Sequence, residues 1–107
     1  MGNRAQVIIE DTKKGIYTHW YSYELWQDVV SALREYPELW DYPEPLADAI
    51  YGKMRHGDYE PMWSNDEHGD LDFEPITVNC SLRQVGVYVP AWQGYLWIKF
   101  EEVVSEP

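Results

Sequence analysis

Hydrophobic and polar positions alternate along much of this chain, and the period changes from two to that of a helix and back. Residues 6–10 (Gln-Val-Ile-Ile-Glu) are short and β-branched, and 16–21 (Ile-Tyr-Thr-His-Trp-Tyr) share that composition. The pair predicts a hairpin around a turn that contains Gly15. Leu25, Val29, Leu33 and Tyr36 then recur at helical spacing, and Trp26 and Val30 widen the stripe. Ser22 is the expected N-cap, Glu24 sits where a first-turn charge is favoured, and Pro37 stops the helix. A second helix is expected from Pro45, with Leu46, Ala49, Ile50 and Met54 inward and His56-Gly57 at its end. Residues 58–75 read as a long loop, part of it a short hairpin arm. Three strands follow at 76–82, 85–89 and 95–100. In the first, Ile76, Val78, Cys80 and Leu82 alternate with Thr77, Asn79 and Ser81. The tail from Glu101 is expected to fray.

The order ββ-αα-βββ predicts one α+β domain over 1–107, with two helices on one face of a mostly antiparallel sheet and an acidic loop at about 58–75. If the aliphatic positions of the late strands cover the helices, the opposite face presents Tyr88, Tyr95 and Trp97. Tyr17, His19 and Tyr21 from the hairpin join them. An aromatic surface of that size asks for cover, from the acidic loop, a partner or a second copy.

Charge sharpens the picture. Nineteen Asp and Glu stand against eight Lys and Arg, a formal net charge of −11. Between Glu35 and Glu74 there are twelve carboxylates and two cations, Lys53 and Arg55. Direct binding to nucleic acid or to an anionic membrane surface is therefore not expected, because both need cationic side chains. No apolar run reaches the length of a membrane span, and Met1-Gly2-Asn3-Arg4-Ala5 lacks the apolar stretch of a secretory signal. A single Cys permits no intrachain disulfide, which fits a reducing cytoplasm.

Candidate chemistry is sparse. His19, His56, His68 and Cys80 show none of the paired spacings of a zinc site. Placing Gly69 at the sixth position of a calcium loop puts Ser64 at the first and Pro75 at the twelfth, where a bidentate Glu is required. Cys80 falls on the core face, where a thiol is inert, and Ser22 is better explained as a cap than as a nucleophile. His19 on a strand near a carboxylate is a candidate general base, although packed or surface histidines are commoner there. No phosphate-cradling or dinucleotide motif occurs. No enzyme activity, cofactor or metal is expected.

Met1-Gly2-Asn3-Arg4-Ala5, the strand Gly15-Ile16-Tyr17-Thr18-His19-Trp20 and the later Gly86-Val87-Tyr88-Val89 together resemble a family of small uncharacterised proteins encoded by phages and prophages. Members begin Met-Gly-Asn-Arg-Ala and carry an early Gly-Ile/Val-Tyr-x-His-Trp strand. This chain departs from them at Tyr21-Ser22-Tyr23, where the family has an Asn/Gly-rich turn, and in its longer, more acidic loop. The resemblance implies a phage context, hence a host cytoplasm, and no assigned chemistry.

Three readings stand. In the first, the protein inhibits a host defence or nucleic-acid-binding protein by imitating nucleic acid. Its partner-binding residues are then Glu60, Trp63, Asp66, Glu67, Asp70, Asp72 and Glu74, with Trp40, Tyr42 and Tyr59 as further anchors, and its partner is a basic protein surface. In the second, it is a structural or oligomerising accessory protein, possible as a homodimer, that uses the face carrying Tyr17, Tyr88, Tyr95 and Trp97. A small enzyme or ligand-binding protein is the third. The acidity is equally that of a solubilising surface.

Overall fold

The computed structural model describes residues 4–19, 24–55, 60–64 and 73–105. Its strands are β1 (Ala5–Ile9), β2 (Lys14–Thr18), β3 (Met62–Ser64), β4 (Ile76–Asn79), β5 (Gln84–Val89) and β6 (Gly94–Lys99). They form one sheet in the order β3-β2-β1-β4-β5-β6. β1 and β4 are parallel, and every other neighbouring pair is antiparallel. The helices are α1 (Leu25–Glu35), α2 (Pro43–Met54) and α3 (Phe100–Ser105), with a 3-10 turn at Pro37–Leu39. The α+β class and the mostly antiparallel sheet are those expected from the sequence.

The core lies on one side of the sheet. Val7, Ile9, Ile16, Val78 and Val85 point toward Val29 and Leu33 of α1, Leu46 and Ile50 of α2, and Phe100 of α3, and all are fully buried. These strand residues are alternate positions, so a single register fixes all of them on the helix side.

Several details differ from the sequence reading. α3 replaces a fraying tail, making three helices among the described residues rather than the two expected. The Phe100 N–H donates to the Arg83 carbonyl at 2.8 Å, and the Phe100 ring packs edge-on against Trp40 with centroids 5.4 Å apart. Phe100 and Val103, three residues apart on one helical face, are both buried. β3 lies within the expected loop and pairs with β2, Ile16 opposite Trp63. Three residues are too few for a period of two to register. α2 begins at Pro43 rather than Pro45. Glu24 holds the N-cap position of α1 without a side-chain cap bond. Ser22, Tyr21 and the His56-Gly57 stop lie outside the described residues.

The hairpin turns follow one plan that the sequence reading missed. Each joins its strands through four residues: 10–13, 80–83 and 90–93. The last residue of each is left-handed, with φ of 58° at Lys13, 52° at Arg83 and 54° at Gln93. None is glycine, and that conformation costs a non-glycine residue about 1 kcal/mol. Gly15, expected in the turn, lies inside β2.

Asp11 explains why the strand starting at Ile76 ends at Asn79 and not at residue 82. Its carboxylate accepts the N–H of Cys80 at 2.7 Å, the N–H of Ser81 at 3.1 Å and the Ser81 hydroxyl at 2.6 Å. The chain turns there, and Leu82, expected inward by alternation, is 65 % exposed. One carboxylate therefore ties the β1–β2 turn to the β4–β5 turn. Partial burial works against its charge, but the bonds from Ser81 and from the Cys80 N–H outweigh it and hold the carboxyl below its ordinary value. A lowered carboxyl contributes stability that is complete above about pH 4 and is lost as pH falls through the folded-state value. Asp11→Asn should therefore cost ~1 kcal/mol at neutral pH, allowing for solvent screening. In urea denaturation across a pH series, the gap between wild type and variant should close in acid.

Candidate functional site

The face of the sheet away from the helices is organised in rows that follow from strand register. One row runs Trp97, Gly86, Thr77, Ile8, Gly15, Ser64 from β6 to β3. A second runs along Lys99, Gln84 and Asn79, toward Glu10 just beyond the end of β1. On the other side of the first row stand Tyr95 and Tyr88 at one end and Gln6, Tyr17 and Met62 at the other.

Trp97 lies across Gly86. A Cβ at position 86 would meet three carbons of the indole's six-membered ring at 2.9, 2.9 and 3.0 Å. One ring face rests on the sheet, while the residue remains 42 % exposed. Tyr95 stacks beside it at 6.2 Å between centroids and meets Tyr88 edge-on at 5.7 Å. The Tyr95 hydroxyl donates to the Pro75 carbonyl at 2.9 Å, which fixes the ring. Together these residues wall a groove of about 350 Å³ lined by Ile8, Glu10, Pro75, Thr77, Tyr95 and Trp97. At its rim the Asn79 amide donates to Glu10 Oε1 at 2.9 Å.

Tyr88, Tyr95 and Trp97 thus share the face expected of them. Tyr17 shares it by register but is only 2 % exposed, so it adds no accessible aromatic surface. Its hydroxyl meets His19 Nδ1 at 3.4 Å. Beside it Gln6, fully buried, lays its amide over Gly15 and donates to Ser64 Oγ at 2.6 Å.

The expected partner-binding residues do not gather on this face. Trp63 points to the helix side, stacked on Tyr51 of α2 at 4.9 Å with ring planes 5° apart. Glu60 pairs with Arg55 at 3.6 Å, and Glu74 is exposed near Phe73 beside a second, apolar cavity. Asp66, Glu67, Asp70, Asp72, His68 and Tyr59 lie outside the described residues. Trp40 serves the core, donating its indole N–H to the Leu33 carbonyl at 2.9 Å. Tyr42 is exposed.

The central run of carboxylates is also less bare than its sequence suggests. Glu35 meets Lys53 at 2.6 Å, Asp41 meets Arg83 at 2.7 Å and Glu44 meets Lys14 at 3.5 Å. The Lys53 hydrogen bond lowers the Glu35 carboxyl, and that from Arg83 lowers Asp41. Two of these cations, Lys14 and Arg83, come from outside the acidic segment and reach it only through the fold. Such exposed pairs add little stability, but they remove net charge locally.

The nucleophile and metal readings gain nothing. Burial, then the charge of Asp11, pushes the Cys80 thiol up to about 12, so it stays protonated. Among the described residues no group of three or more His, Cys, Asp and Glu could hold a metal ion. No family model, no curated protein and no solved structure matches this chain.

Neither the groove's polar rim nor the glycine on which the Trp97 ring rests follows from alternation alone. Gly86 was the available signal, since a glycine inside a strand marks a close approach. Gly86→Ala should lift the indole off the sheet at a cost of ~1–2 kcal/mol. The Trp97 indole N–H resonance should move in an ¹H–¹⁵N spectrum while the core resonances stay. An unmoved indole signal would contradict the packing described.

Proposed function

We propose that this protein is a non-enzymatic binding protein that occupies the basic, nucleic-acid-holding surface of another protein and so inhibits it. The observation that carries this reading is the exposed Trp97, beside half-buried Tyr95 and Tyr88 on the sheet face away from the described helices, on a chain of net charge −11. An acidic molecule accelerates its own encounter with a basic one, and an exposed Trp beside Tyr supplies contact energy that charge alone does not. The internal ion pairs at Glu35, Asp41, Glu44 and Glu60 weaken a strict imitation of the phosphate ladder. They leave charge steering, with Asp66, Glu67, Asp70 and Asp72 as its strongest cluster in the sequence. Likeness to phage-encoded proteins points to a host defence or nucleic-acid protein as the target and to the host cytoplasm as the place of action. Among the described residues no helix is long and apolar enough to cross a membrane.

A second reading rests on β6. It is an edge strand, and Leu96 and Trp97 on it are both exposed. Such an edge can pair with a second copy. Salt separates the two readings. Binding to a basic partner weakens as salt rises, whereas self-association of two −11 molecules strengthens.

The test is competition against duplex DNA for purified basic DNA-binding proteins. Displacement should fall steeply with salt, and reversing Asp66, Glu67, Asp70 and Asp72 to Lys should weaken it at least about tenfold. Unchanged displacement by the reversed protein would remove the charge-led reading. Sedimentation velocity of wild type and Trp97→Ala tests the other: a single monomer mass for both at high salt would eliminate self-pairing.

A further inference from the structure

The groove beside Trp97 has the parts of a receptor for one cationic side chain. Its floor is apolar, made by Ile8 and the Thr77 side chain. Its wall is aromatic, and the outer face of the Trp97 ring is exposed because the inner face rests on Gly86. Its rim carries Glu10, an exposed carboxylate that accepts the Asn79 amide at Oε1. Among the described residues Glu10 has no cationic partner, in contrast to Glu35, Asp41, Glu44 and Glu60. Lys99 occupies the same face but stands three strands away, ~14 Å at ordinary strand spacing.

We propose that this groove receives an arginine side chain of a basic protein partner. Its methylenes lie on Ile8 and Thr77, its guanidinium packs against Trp97, and its charge is met by Glu10. The inference rests on the basic-partner reading above and names the residues that recognise that partner. Charge complementarity selects the occupant: a second copy brings another −11, while a basic surface brings the missing cation. Planarity favours arginine over lysine. A guanidinium stacks on an indole and donates to a carboxylate at the same time, and an ammonium does this less well.

The experiment is fluorescence anisotropy with a labelled peptide of alternating Arg and Gly. Counterparts carry Lys, or the neutral isostere citrulline, at the Arg positions. The proteins are wild type, Glu10→Gln, Trp97→Ala and the control Glu38→Gln, which removes one exposed carboxylate elsewhere. Glu10→Gln keeps an acceptor for Asn79, and circular dichroism checks the fold of Trp97→Ala. Wild type should bind the Arg peptide more tightly than the Lys peptide and should not bind citrulline. Glu10→Gln and Trp97→Ala should each weaken the Arg peptide about tenfold, against less than about twofold for Glu38→Gln. Equal losses for Glu10→Gln and Glu38→Gln, with wild-type binding intact, would overturn the groove and leave the basic-partner reading standing. Failure of wild type to bind either cationic peptide at low salt would count against both.

Discussion

Every described helix packs on the same face of the sheet, and the other features of the molecule follow from that constraint. A chain of 107 residues supplies enough apolar side chains for one such layer. Val7, Ile9, Val78 and Val85 take the covered side with α1, α2 and α3. Period-two alternation then sends Gln6, Ile8, Thr77, Tyr88, Tyr95 and Trp97 to the side without helices. Large side chains there lie down on whatever space the sheet offers. Trp97 lies on Gly86 and the Gln6 amide on Gly15. Gly15 and Gly86 are thus seats for side chains rather than turn residues.

Electrostatics follows the same geometry. Lys14 leaves β2 on the helix side and reaches Glu44 on α2, and Arg83 leaves the β4–β5 turn and reaches Asp41. Arg83 also lies over the Trp40 ring at 5.7 Å. The helix layer is in this way partly neutralised by cations imported from distant positions. Glu10, on the open side, is not. The contrast distinguishes a carboxylate held by its own fold from one available to another molecule.

Much of this architecture was legible in the sequence because buried periodicity is a local signal. Val78 and Val85 in their strands, Leu25, Val29 and Leu33 along α1, and the grouping of Tyr88, Tyr95 and Trp97 on one face all came from alternation alone. What escaped was set by contacts distant in sequence. Alternation carried the strand through Leu82, because nothing local announces that Asp11 will capture the Cys80 and Ser81 amides and end it. β3 was too short to show a period. α3 was hidden by its charged residues, Glu101 and Glu102, although Phe100 and Val103 mark its buried side. Trp63 lies among carboxylates in the sequence, whereas β3 turns it toward Tyr51. Glu10 was invisible as a site residue until register brought it to the groove of Trp97.

The central claim is that the helix-free side of the sheet is the side that meets a partner. Hydroxyl-radical footprinting of the free protein and of its complex with a basic DNA-binding protein tests it most directly. The account predicts strong labelling of Trp97 in the free protein and its protection in the complex, with exposed Tyr42 beside α2 labelled equally in both. Protection of Tyr42 with Trp97 still labelled would contradict it.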